Sequence, residues 1–189
     1  MEPVMATTNT DGAPSPSGLA ASIEGARGRW TLDPLGSRAE FHVKHFWGAV
    51  TVHGSLDRIS GEGTVGPGGS VAGRLVIDAS SLSTHNRQRD KHLRSADFFD
   101  VEHHPEVVVT VHRAEPLAGA ALLCQGTLEA AGHEEPLEFT ANVEGMTADA
   151  VTRHAEVVLD RTRFGMTWSP LRIAARQARL VATARFVRP

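Results

Sequence analysis

Between Ser37 and His45 the chain alternates: Ala39, Phe41 and Val43 are separated by Arg38, Glu40, His42 and Lys44. A period of two predicts a half-buried strand with Ala39, Phe41 and Val43 facing inward. Further short apolar runs follow at Ala49–Leu56, Val71–Ile77, Val107–Val111, Ala121–Leu128, Leu137–Val143, Val157–Leu159 and Leu180–Val187. Gly, Pro, Asp or Asn bounds each run, as in Gly61–Gly69, Glu115–Gly119 and Gly132–Pro136, which read as turns. Seven or eight strands at this spacing, with no long amphipathic helix between them, predict an all-β antiparallel sandwich or barrel. Parallel strands would need crossover helices, which the pattern does not offer.

Two segments depart from this rhythm. Residues 1–28 are Ala, Ser, Thr, Pro and Gly with few large apolar side chains. Such a composition buries too little surface to offset its ordering entropy, so a disordered tail is expected ahead of a domain over 29–189. Ser80–Asp100 is polar, densely charged and free of Gly and Pro, and it predicts a short helix over Arg87–Ser95 capped by Thr84 or Asn86.

Composition narrows the function. Nineteen basic and 22 acidic residues leave a formal charge of −3, without the basic excess of a nucleic-acid binder. One cysteine, Cys124, excludes an internal disulfide and multi-cysteine metal frameworks. No apolar run approaches the roughly 18 residues of a membrane span, and the N-terminal residues lack the order of a secretory signal. A cytoplasmic location is therefore expected. Gly is plentiful (18) while aromatics make up only 5% of the chain.

The candidate chemistry lies in three places. On the predicted helix, Arg89 and His92 share a face, as do Arg87 and Lys91. Such a face can hold a phosphate through the planar donor fork of arginine, or Arg89, Asp90 and Arg94 can form an ion-pair network that anchors the loop. The ten histidines show no zinc-ligand spacing, so no metal site is expected: His42 and His45 point to opposite faces of one strand. Cys124 lies in an apolar run where a buried inert thiol is the default. Near the C-terminus, Phe164, Met166 and Trp168 would form an apolar lip around Gly165, or equally a packing cluster closing a barrel.

These residues also carry a recognisable pattern. Trp30-Thr31-Leu32-Asp33-Pro34, Ser37, and Phe41-His42-Val43-Lys44-His45 resemble the opening of the YceI-like family. Ser81-Leu82-Ser83-Thr84-His85-Asn86 through Arg89-Asp90, His92-Leu93-Arg94-Ser95 and Asp97-Phe98-Phe99-Asp100-Val101 resembles its long central signature. Gly126-Thr127-Leu128 and Phe164-Gly165-Met166 are similar to two of its later motifs. Leu56 stands where the family usually has Phe.

The resemblance implies a lipocalin-like antiparallel β-barrel of about eight strands, with one or two short helices in a connecting loop. It also implies an apolar tunnel holding a polyisoprenoid or quinone-like amphiphilic lipid, with no metal or other cofactor. A homodimer is a further expectation. Phe41, Val43, His45, Phe46 and Trp47 are the ligand-binding candidates of the first strand and its turn. Arg89, His92, Arg94, Phe98 and Phe99 are those of the signature, and Phe164, Met166 and Trp168 those of the C-terminal cluster. Small residues (Ala39, Gly48, Gly54, Gly73, Gly126, Ala141, Ala182 and Ala184) would keep the barrel hollow, and Arg89, His92 and Arg94 would receive a head group at its mouth. A carrier without catalytic residues is the first reading. An enzyme acting on an apolar substrate through His45, His92 and Arg89, and a module that binds a protein partner, remain as alternatives.

Overall fold

The structure, a computed structural model, describes residues 16–117, 120–169, 171 and 173–189. It contains helices α1 (Pro16–Gly25) and α2 (Arg87–Leu93). Its strands are β1 (Gly28–Leu32), β2 (Arg38–His45), β3 (Val50–Leu56), β4 (Ile59–Val65), β5 (Val71–Asp78), β6 (Leu82–Ser83), β7 (Glu106–Leu117), β8 (Ala121–Ala130), β9 (His133–Met146), β10 (Ala150–Asp160) and β11 (Ala174–Val187). The chain forms a lipocalin-like antiparallel barrel. Its sheet runs β1-β4-β5-β7-β8-β9-β10-β11 and closes where β1 pairs with β11, a ring of eight.

The remaining strands continue members of that ring. β1 and β2 follow one another along the same edge of β11, through Leu32↔Phe186 and then Arg38↔Thr183. Opposite them β4 and β3 form a second broken strand, and β5 and β6 a third. Two of the breaks are built alike. Asp33 accepts the Leu35 N–H at the turn Pro34–Gly36, and Asp78 accepts the Ser80 N–H at the turn Ala79–Ser81. Asp160 repeats the device after β10 by accepting the Thr162 N–H. A short acidic side chain satisfies a backbone donor where the ladder stops, so the strand can bend without orphaning it.

Three expectations are corrected. Gly61–Gly69 is not all turn: Ile59–Val65 is strand β4, and only Gly66–Ser70 turns, closed by a 2.8 Å bond from Gly66 N to Ser70 O. Gly61 suits a strand here because a Cβ on it would stand 2.7 Å from the Arg74 carbonyl oxygen. β7 continues to Leu117, so Pro116 lies within a strand rather than a turn. Pro136 likewise lies within β9, where β10 pairs only with Ala141–Met146 and leaves the outer edge open to a residue without an N–H. The third correction concerns the tail. Residues 1–15 lie outside the described residues, but Pro16–Gly25 is helical and Ile23 is only 2% exposed. Ile23 packs with Ala114, Leu122, Cys124 and Ala141, and the Trp30 indole N–H donates to the Ala26 carbonyl at 2.9 Å. One buried isoleucine against the barrel end supplies the tertiary contact that composition alone does not reveal.

Elsewhere the core lies inside the ring. Leu82 and Ala79 are fully buried at the α2 end with Phe41, Leu56, Leu128, Phe164 and Met166. No helix among the described residues is long and apolar enough to cross a membrane.

Candidate functional site

The inward register of the strands encloses a cavity of about 780 Å³ that reaches from Ile23, Ala26 and Trp30 at one end to His45, His92 and Trp168 at the other. Its wall is almost wholly apolar. Its waist is set by alanines that stand in register on four neighbouring strands: Ala141, Ala155, Ala182 and Ala39 are successive cross-strand partners, and all four line the lumen. Methyl groups there leave space that larger side chains would fill.

The other small residues play different parts. Gly73 lines the lumen, as does Ala184. Gly48 lies in the Phe46–Gly48 turn. The space beside Gly54 is taken by the Phe41 ring, which a Cβ would meet at 2.2 Å. Gly126 faces the neighbouring strand: its Cβ would stand 1.8 Å from the Thr110 carbonyl oxygen, next to a register shift in β7.

At the α2 end the signature residues form the rim. Asn86 caps α2 by accepting the Arg89 N–H at 3.0 Å. Asp90, buried, accepts from the Thr84 N–H at 2.8 Å and from the Thr84 hydroxyl. Arg89 gives its Nε to the Thr84 hydroxyl at 2.7 Å and its Nη2 to the Thr84 carbonyl at 2.8 Å. Arg94 donates to the carbonyls of Ser80 (3.1 Å) and Leu82. These two arginines thus anchor the loop, but through hydrogen bonds to Thr84, Ser80 and Leu82 and not through the expected ion pairs with Asp90, whose carboxylate is taken by Thr84. Arg89 still lines the cavity; Arg94 does not.

His92 stands at the opening with its Nε2 3.0 Å from Asp97 Oδ2. Its ring meets Trp168 edge-on at 4.3 Å and Phe98 at 5.2 Å. Arg161 lies over Phe98 at 5.8 Å and donates to the carbonyls of Ala175 (2.9 Å) and Met166, which ties down the segment after the Arg161–Phe164 turn. Gly165 ends that turn at φ 74°, the left-handed conformation that glycine permits. His45 faces the same space. Its pKa is held below the ordinary imidazole range first by burial and then by the charges of Arg161 and Arg89.

Of the candidates read from the sequence, Phe41, Val43, His45, Arg89, His92, Phe98, Phe99, Phe164, Met166 and Trp168 line one cavity. Phe46 and Trp47 do not. They sit in the β2–β3 turn at φ 50° and 55°, and Trp47 is 83% exposed. Their place outside the cavity follows from the turn: alternation ends at His45, so the two rings leave the inward register.

The sequence reading also missed the opposite end, formed by Ile23, Trp30, Met146 and Arg153. Arg153 carried a signal, since it stands in the inward series Val151, Ala155, Val157 and Leu159 of β10. Among the described residues no group of three or more His, Cys, Asp or Glu could hold a metal ion.

The sequence model of the YceI-like domain family matches residues 30–186. A UPF0312 protein of Pectobacterium carotovorum is 29% identical over 135 residues, covering 69% of this chain and 69% of that one. One from Vibrio cholerae is 27% identical over 124 residues, covering 64% and 65%. Among solved structures, Burkholderia cenocepacia BcnA superposes with a TM-score of 0.74 at 16% identity, over 82% of this chain and 98% of that one. A polyisoprenoid binding domain from Saccharophagus degradans, implicated in plant cell wall breakdown, superposes with a TM-score of 0.70 at 17% identity, over 85% and 98%. These superpositions establish a shared barrel.

Proposed function

The chain belongs to the YceI-like domain family, and from that premise we propose that it binds and carries an isoprenoid-type or related amphiphilic lipid along the barrel axis. One observation carries the reading: an apolar cavity of about 780 Å³ runs between the two ends of the ring, past a waist of alanines. Small-molecule sites span about 300–1,000 Å³, so the space fits a slender chain. Each CH₂ group taken from water contributes about 0.8 kcal/mol, so a few isoprene units bind without any polar contact. The Saccharophagus degradans neighbour, a polyisoprenoid binding domain, supports the same ligand class.

Native mass spectrometry of protein purified without detergent, together with organic extraction, tests this function. A co-purifying lipid, or one-to-one uptake of added polyprenyl alcohol or quinone, is the expected result. If the protein carries no lipid and takes up neither, it is not such a carrier. If a bound lipid is instead converted to a new product, the protein is an enzyme on this barrel.

A further inference from the structure

The arginines of the rim spend their N–H groups on the protein. Arg89 bonds Thr84, Arg94 bonds the carbonyls of Ser80 and Leu82, and Arg161 bonds those of Ala175 and Met166. Arg153 differs. It points into the lumen from the inward register of β10, one step beyond the alanine waist toward α1. Its Nη1 is buried without a hydrogen-bond partner, and no ion pair reaches it among the described residues.

Among the described residues the surroundings offer no counter-charge. Cys124 stands close enough for its charge to be felt at Arg153, but burial pushes its thiol up to about 11, so it is neutral near pH 7. Val143 and Ala184 are the cross-strand partners on either side. Ile23, Ala26 and Trp30 close the end beyond. An arginine stays protonated in proteins, and an unpaired charge in an apolar cavity is strongly disfavoured. A ligand that brings the missing anion removes that penalty at the moment it binds.

We propose that Arg153 binds the carboxylate of a single-chain, fatty-acid-like amphiphile, seated head-inward at the α1 end with its tail running through the waist toward α2. The proposal deepens the carrier reading and rests on it. Charge balance selects the head group. One guanidinium neutralises one carboxylate, whereas a phosphate monoester carries about −1.5 to −2 near pH 7 and would leave excess negative charge among apolar side chains. A planar carboxylate also accepts two parallel N–H bonds from the arginine fork.

The test uses the full chain stripped of lipid, with palmitate, hexadecanol, hexadecyl phosphate and geranylgeraniol as probes. Dissociation constants are measured for the unaltered protein, Arg153→Met and Arg153→Lys. The unaltered protein should prefer palmitate over hexadecanol by roughly tenfold or more, as charge-assisted bonds to a buried anion imply. Arg153→Met should abolish that preference while hexadecanol and geranylgeraniol still bind, and Arg153→Lys should restore part of it. Thermal melts of both variants, read alongside, should show a cooperative transition.

Equal affinity for palmitate and hexadecanol, or a preference that survives in Arg153→Met, overturns the assignment of Arg153. Tighter binding of hexadecyl phosphate than of palmitate overturns the choice of carboxylate. Geranylgeraniol distinguishes the two levels of the argument. If it binds while palmitate shows no preference, only the Arg153 site fails; if no probe binds, the carrier reading fails with it.

Discussion

At the scale of single residues, similar side chains differ by what they meet. Arg89, Arg94 and Arg153 all leave solvent in part, yet the first two bond carbonyls and hydroxyls while the third faces an apolar lumen. The helix cap at Asn86 and the inward course of Ala39, Phe41 and Val43 were legible, because capping and alternation depend on neighbours within a few positions. The bonding of Arg94 was not, since its acceptors lie 12 and 14 residues away, on the far side of α2 and the loop that leads into it.

His45 supports a prediction at this scale. Its folded-state pKa lies below the ordinary 6.5, so between those two values the folded protein binds fewer protons than the unfolded chain. Stability from this group therefore falls as pH drops from 6.5 through the folded value, and changes no further below it. Thermal melts across pH 4.5–7.5, a window chosen to bracket roughly that range, should show a shallower acid slope in His45→Gln. His103, whose pKa is raised mainly by its hydrogen bond to Asp100, acts in the opposite sense. Its contribution is present below 6.5, is lost as pH rises through its folded value, and cancels in the comparison. An unchanged acid slope in His45→Gln would mean that burial at the rim does not govern its titration.

Elements show where composition misleads. Glycine in GEGTVGPGG marks a turn at Gly66–Ser70 but a strand at Gly61 and Gly63, and at Gly61 the Arg74 carbonyl of the partner strand approaches closely. Local sequence does not separate these uses, because the second depends on the partner strand. Gly126 gives the sharpest case. Its missing Cβ accommodates the Thr110 carbonyl beside the shift that bends β7, and a flexible side chain could move aside where a backbone carbonyl cannot. Gly126→Ala should destabilise the fold by about 1–3 kcal/mol, the usual cost of overpacking, as read from urea unfolding. Helix α1 is the complementary case: its sequence of mostly small residues reads as a solvated tail until Ile23 finds the end of the barrel.

For the whole molecule, closure matters most. The pairing of Thr31 and Leu32 with Val187 and Phe186 joins positions more than 150 residues apart and turns a meander into a ring. Only within that ring do Ala39, Ala141, Ala155 and Ala182 become one waist. Ala182→Trp should plug it: uptake of polyprenyl alcohol should fall at least about tenfold, since a core-sized ring replaces the space for several methylenes. Circular dichroism should remain that of a barrel. Undiminished uptake by the folded variant would place the lipid outside the lumen.

The sequence by itself determined the antiparallel character of most strands, the inward face of β2 and the capped helix α2. These follow from alternation, turn chemistry and side-chain donors acting over a few residues. Tertiary structure alone decided that the ring closes, that α1 seats against one end, and that Arg153 Nη1 is buried without a partner among the described residues. Each of these depends on groups brought together from distant parts of the chain, and whether a buried charge is satisfied is a property of everything around it rather than of its neighbours in sequence.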